Sequence, residues 1–258
     1  MRDNGFLARL GGDSTQFGVW TVLGASADVV ELTATSGFDW MLIDAEHSPL
    51  THRDVLDALR AASAHPTDVI VRPMEGSHAE IVRLLDIGVQ NLLIPMVETA
   101  DQARAIVAAT RYAPEGTRGV SSQTRAGDWG RRPGYLASAR DQICLIVQIE
   151  SIEGADRIDE ILAVDGIDAV FIGTADLAAT MGHLGEPGHP DVVAVVEEVE
   201  RAVLAAGKPL GGLTRDPQQA LRLARRGYAF VGSATDSALL ASALRSVVAE
   251  LRADPDHT

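Results

Sequence analysis

Six polar residues stand at the ends of short apolar runs, where a buried strand would hand its last side chains to a common mouth: Asp44, His47, Arg72, Gln148, Glu150 and Asp176. Glu150 closes the run Leu145-Ile-Val-Gln-Ile-Glu150, and Asp176 follows Phe171-Ile-Gly-Thr-Ala. Two carboxylates with open water positions suit a hard divalent cation such as Mg²⁺ or Mn²⁺, with Co²⁺ also admissible. Asp176 precedes Leu177-Ala-Ala, so a helix cap is the competing account of that residue. Gln148 and Glu150 are two apart and share one strand face, from which the amide could bond a water or a substrate oxygen. His47 lies three residues after Asp44 in Leu42-Ile-Asp-Ala-Glu-His47, a spacing at which the carboxylate could hold the imidazole as a general base. Glu46 reads either as a second acid or as an exposed loop residue. Arg72 ends Val69-Ile-Val-Arg72; an arginine there needs an anion, from a substrate oxygen or from an internal salt bridge. The other histidines, His52, His65, His78, His183, His189 and His257, fall in helices, loops or the tail and read as structural.

Other chemistries are excluded by what the chain lacks. Of its 22 basic residues only Lys208 is a lysine, and it precedes the seventh apolar run, at the opposite rim, so no amine reaches the mouth for a Schiff base. Cys144 begins a run, and no Gly-x-Ser-x-Gly segment occurs, which leaves covalent catalysis without an agent. A net charge of −14, spread along the sequence, opposes a nucleic-acid partner. The single cysteine allows no internal disulfide, residues 1–10 carry charges without an apolar core, and no apolar run reaches the roughly 18 residues of a membrane span. These features predict a soluble, cytoplasmic protein.

The elements that must position these residues alternate with regularity. Strand-like runs fall at 17–23, 40–43, 69–71, 92–97, 145–149, 169–172, 210–213 and 229–231, short and continuously apolar as in a sheet buried on both faces. Helical patterns lie between them at 27–35, 51–63, 79–87, 100–110, 152–162, 192–206, 217–226 and 237–251. Gly37, Gly88, Gly207 and Gly227 mark helix stops; Ser77, Thr99 and the Asp216-Pro217 pair mark starts. Strand then helix, eight times over, predicts a single-domain α/β protein spanning 1–258, a (β/α)₈ TIM barrel with its strand C-termini opening on one face. The long irregular stretch 111–140 predicts a lid or an interface element.

At these residues the chain resembles the HpcH/HpaI aldolase family, metal-dependent class II pyruvate aldolases. The resemblance covers nearly the whole sequence and is carried by Phe38-Asp-Trp-Met-Leu-Ile-Asp-Ala-Glu-His-Ser-Pro49, Val71-Arg-Pro73, Leu84-Leu-Asp-Ile-Gly88, Leu93-Ile-Pro-Met-Val97, Arg118-Gly-Val120, Val147-Gln-Ile-Glu150 and Phe171-Ile-Gly-Thr-Ala-Asp-Leu177. It implies a divalent metal on Glu150 and Asp176, an enolate-stabilising Arg72, and an acid–base dyad of His47 with Asp44. Gln148 and the backbone of Gly173, Thr174 and Ala175 would contact the pyruvyl part of a 4-hydroxy-2-oxo acid that is cleaved to pyruvate and an aldehyde. Trp20 and Leu213, at the first and seventh strand ends, read as aldehyde-side contacts or as packing at the mouth. The resemblance also implies a homohexamer, with helix 237–252 available for its packing. Rival readings are a related lyase or decarboxylase acting on oxaloacetate or a citramalyl or malyl thioester, and a catalytically silent binding barrel. The family commonly reads Gly-Pro-Ala-Asp-Leu-Ser where this chain has Gly173-Thr-Ala-Asp-Leu-Ala178, and Gly-Val-Asp near the eighth strand where it has Ser233-Ala-Thr-Asp236, changes that bear on the acceptor more than on the chemistry.

Overall fold

A computed structural model describes residues 3–253, so His257 lies outside the described residues. Eight strands, β1 (Gln16–Thr21), β2 (Trp40–Asp44), β3 (Asp68–Arg72), β4 (Asn91–Ile94), β5 (Cys144–Ile149), β6 (Ala169–Ile172), β7 (Leu210–Leu213) and β8 (Phe230–Thr235), pair in parallel in sequence order and close into a barrel. Between and around them run α1 (Gly5–Leu10), α2 (Ala27–Ala34), α3 (His52–Ala62), α4 (His78–Ile87), α5 (Ala100–Thr110), α6 (Tyr135–Ser138), α7 (Ile152–Asp156), α8 (Ile158–Leu162), α9 (Thr174–Thr180), α10 (Pro190–Ala205), α11 (Pro217–Arg225) and α12 (Asp236–Arg252). The TIM barrel anticipated from the alternation is therefore the fold.

Strand alternation divides the apolar residues between two cores. Met41, Ile43, Val71 and Leu145 point outward into a layer shared with the helices, whereas Trp20, Leu42, Ile70, Ile146, Phe171 and Phe230 fill the barrel interior. Gly18 and Gly211 make room there: a Cβ on either would fall about 2.1–2.2 Å from the rings of Trp40 and Phe230. The inward rows begin with polar residues that α1 seals. Asn4 donates to Asn91, Arg9 pairs with Asp68 at 2.9 Å, and Phe6 meets Phe230 edge-on. The opposite ends of the same rows carry Asp44, Arg72, Gln148 and Glu150, so one face of the barrel is plugged and the other is left for chemistry.

Start and stop signals behave as their chemistry dictates. Ser77, Thr99 and Asp216 accept backbone N–H groups at helix starts, and the four predicted stop glycines take φ of 68–99°. Three departures have local causes. β4 ends at Ile94 rather than residue 97, because Pro95 has no N–H to pair and Met96 turns to φ 53°. The helix expected over 152–162 breaks at Arg157 into α7 and α8. The short helices α1 and α9 are too brief to show a helical period. In the stretch 111–140, α6 and two 3₁₀ turns are anchored by Arg118, which binds Asp86 at 3.0 Å and lies over the Tyr112 ring.

Candidate active site

Register sets the first half of the site. Asp44 and Arg72 are direct partners across β2 and β3, so their inward side chains lie side by side. Arg72 Nε donates to Asp44 Oδ1 at 3.0 Å and Nη2 to Oδ2 at 2.6 Å, a two-point clasp. Trp20, one strand over, donates Nε1–H to the same Oδ2 at 3.0 Å and turns its face toward the guanidinium, 4.9 Å away. Burial works against ionisation of Asp44, but the hydrogen bonds and charge of Arg72, aided by Trp20, outweigh it and hold the carboxyl below its ordinary range. Arg72 is likewise opposed by burial and restored by Asp44, so its charge is permanent. The internal salt bridge is thus the correct account of one edge of Arg72. Its Nη1 faces Glu46, with Oε2 2.8 Å away but not aligned for a hydrogen bond.

The arrangement changes the roles expected of three residues. Asp44 does not hold the His47 ring: both of its oxygens serve Arg72, with Trp20 and the backbone N–H groups of Glu46 and His47 as further donors. The carboxylate nearest the His47 imidazole is Glu46, with Nε2 to Oε2 at 3.8 Å, and the histidine side chain is 61% exposed at the rim. Glu46, open to a loop reading in the sequence, is drawn inward by Arg72 and keeps only 19% exposure. Trp20 is 3% exposed and sits against the Asp44–Arg72 pair, so its ring acts there as packing at the mouth. Leu213 is half-buried at the end of β7, packed on the inner core at the mouth.

The second half follows from β5 and β6. Ile149 and Ile172 are register partners, and Gly173 N–H donates to Ile149 O at 2.9 Å, which lays Gly173 against Glu150. A Cβ at Gly173 would lie 2.6 Å from Glu150 Oε2 and 2.8 Å from Gln148 Nε2, so the glycine is required by close approach. Glu150 is 1% exposed; it accepts Met96 N–H at 2.9 Å and the Gln148 amide. The strained Met96 backbone thereby aims a donor at the carboxylate. Burial pushes the Glu150 carboxyl up to about 7, with Met96 N–H and Arg72 opposing and the charges of Glu46 and Asp176 adding to the rise. Burial also raises Glu46, against the pull of Arg72.

Asp176 sits in the first turn of α9, which begins at Thr174, so the helix starts too early for Asp176 to be its cap. Its charge reaches both Glu46 and Glu150. Thr174 and Ala175 open the same helix beside Gly173. Three carboxylates, Glu46, Glu150 and Asp176, therefore share a mouth with one guanidinium, and Gln148 Oε1 is buried there without a hydrogen-bond partner. That donor set fits a hard divalent cation. Lys208 donates to Ile167 O at 2.6 Å, at the start of β7 and far from this mouth.

Residues 16–243 match the HpcH/HpaI aldolase/citrate lyase family. A hydroxypyruvate/pyruvate aldolase of Cupriavidus necator is 47% identical over 98% of this chain and 94% of its own. A 2-keto-3-deoxy-L-rhamnonate aldolase of Klebsiella pneumoniae is 45% identical over 93% and 90%. The crystal structure of an HpcH/HpaI aldolase/citrate lyase family protein from Burkholderia cenocepacia superposes with a TM-score of 0.93 at 38% identity, covering 96% of this chain and 99% of that one.

Proposed function

Because the chain belongs to the HpcH/HpaI aldolase/citrate lyase family, we propose that its barrel mouth cleaves a 4-hydroxy-2-oxo acid to pyruvate and an aldehyde, and joins them in reverse. The protein is an aldolase, a carbon–carbon lyase. The observation that carries the substrate reading is the convergence of Glu46, Glu150 and Asp176 on a guanidinium already fixed by Asp44. Glu150 and Asp176 would hold Mg²⁺ or Mn²⁺, with Co²⁺ able to substitute; the ion supplies polarisation of the 2-oxo group and charge stabilisation. Arg72, held by Asp44 at two points, keeps Nη1 and Nη2 hydrogens for a developing enolate oxygen, a preorganised donor of the kind worth about 3 to 4 kcal/mol.

His47 at the rim takes the proton of the 4-hydroxyl. The C3–C4 bond then breaks, the hydroxyl-bearing carbon leaves as the aldehyde, and the electron pair passes to C3 as the enolate of pyruvate. A proton delivered to C3 completes the methyl group. Gln148 and the backbone at Gly173, Thr174 and Ala175 line the pyruvyl side, and Leu213 lines the acceptor side. The test is exchange of pyruvate methyl protons for deuterium, followed by NMR in protein stripped of metal and then given Mn²⁺ or Mg²⁺. Exchange that requires the ion and vanishes in Arg72→Ala supports the reading. No exchange with either ion refutes pyruvate as the nucleophilic half.

The same reading includes assembly. α12 buries none of its residues within the protomer and exposes Leu239, Leu240, Leu244, Val247, Val248 and Leu251. Such a face is what packing between copies of the chain would cover, in line with a hexamer. Leu244→Asp is then expected to lower the sedimenting mass, and a wild-type monomer would refute the assembly. Among the described residues no helix is long and apolar enough to cross a membrane. Cys144 is a buried free thiol suited to a reducing compartment, and we assign the enzyme to the cytoplasm.

A further inference from the structure

The loop joining α9 to α10, with the first turn of α10, gathers two imidazoles and two carboxylates that play no part in the chemistry of the mouth. His183, Glu186 and His189 recur every three residues in His183-Leu-Gly-Glu186-Pro-Gly-His189. The backbone follows that period as two linked turns: Glu186 N–H donates to His183 O, and His189 N–H to Glu186 O, each at 2.9 Å. Glycine occupies the third position of both turns, Gly185 with φ 83°, and Pro187 the second position of the latter turn. The outcome is one side for all three side chains, with one ligand atom from each lying within 4.8 Å of the others. The two rings stack with centroids 3.6 Å apart. Asp191 joins them, its Oδ2 being 3.6 Å from His183 Nε2 and 3.7 Å from His189 Nδ1. Among the described residues neither Glu186 nor Asp191 has an arginine or lysine partner, so both anions face imidazoles alone.

We propose that His183, Glu186 and His189, with Asp191 completing a fourth position, bind a borderline transition-metal dication of the Zn²⁺ class. Imidazole nitrogen selects such ions over Mg²⁺, whereas the oxygen-only donors at the mouth suit harder cations. Bonds of about 2.0–2.2 Å in a tetrahedron set donor atoms about 3.3 Å apart, so side chains on this surface loop need to close by at most about 1.5 Å, and the two rings to turn out of their stack so that each offers its in-plane lone pair to the ion. Four protein ligands make the site structural rather than catalytic. An ion there clips the two turns together and braces α9, which carries Asp176, against the start of α10.

The site is tested by dialysing EDTA-stripped protein against micromolar Zn²⁺ in excess Mg²⁺ and counting zinc per chain. Glu150→Gln, which disarms the mouth, is expected to keep one zinc ion. The same protein carrying His183→Ala or His189→Asn is expected to bind it at least about 100-fold more weakly. His189→Asn retains a side-chain oxygen to cap α10 in place of the nitrogen that now accepts Asp191 N–H at 3.3 Å, so the fold is preserved, and circular dichroism checks this. Zinc absent from Glu150→Gln, or zinc that survives both histidine substitutions, overturns the assignment.

Discussion

Replacing Glu150 by glutamine is expected to stabilise the metal-free protein, and to do so only above mildly acidic pH. The folded carboxyl ionises at about 7 against an ordinary 4.5, because it is buried and faces Glu46 and Asp176. A carboxyl with a raised folded value binds its proton more tightly in the folded state. Below 4.5 both states are protonated and the group is neutral in its effect; between 4.5 and 7 folding loses stability as pH rises; above 7 the loss is complete. At about 1.4 kcal/mol per pH unit the full loss across the interval from 4.5 to about 7 is about 3.5 kcal/mol. Glutamine keeps an oxygen for Met96 N–H but carries no charge, so its advantage over wild type should grow from about 1 kcal/mol at pH 5 to about 3.5 kcal/mol at pH 8. In a barrel of this size that is a melting-point difference of about 7–14 °C. The assay is thermal denaturation of EDTA-stripped wild type and variant from pH 5 to 8. Restoring Mn²⁺ at about 1,000 times its Kd should add about 4.1 kcal/mol to the wild type and little to the variant, reversing the order. A difference between the two proteins that stays flat across this pH range would refute the electrostatic account of Glu150.

Gly173→Ala forces a Cβ to within 2.6 Å of Glu150 Oε2 and should lower kcat/KM at least about tenfold with a smaller effect on melting; unchanged kinetics would show that the carboxylate gives way. Trp20→Phe removes one of the hydrogen bonds to Asp44 and should cost about 1–2 kcal/mol in denaturant unfolding, while retaining the aromatic face under Arg72. Arg118→Met strands Asp86 and loosens the 111–140 stretch from α4, with an expected loss of about 3 kcal/mol measured the same way.

Strand-end chemistry is legible in this sequence because a buried parallel strand is a short apolar run, and its last inward residue marks itself by being polar. Arg72, Gln148 and Glu150 are each found that way, and the barrel follows from their spacing among eight such runs. What escapes is set by neighbours distant in the chain. Asp44 clasps Arg72 instead of His47 because of the β2–β3 register, which lies 28 residues apart in sequence. Glu46 looks like a loop residue until Arg72 stands opposite it, and Trp20 is a mouth residue by position but a buried one by the size of its ring.

The imbalance at the mouth also bears on the order in which things bind. Asp44 neutralises Arg72, so an arriving oxo acid, itself an anion, meets Glu46, Glu150 and Asp176 before any free positive charge. Encounter with the substrate is then unfavourable until that surplus is neutralised, and a cation has to enter first. Initial rates should follow a compulsory sequence, cation and then acid, and the apparent affinity for pyruvate should rise with cation concentration, whichever aldehyde is the second partner.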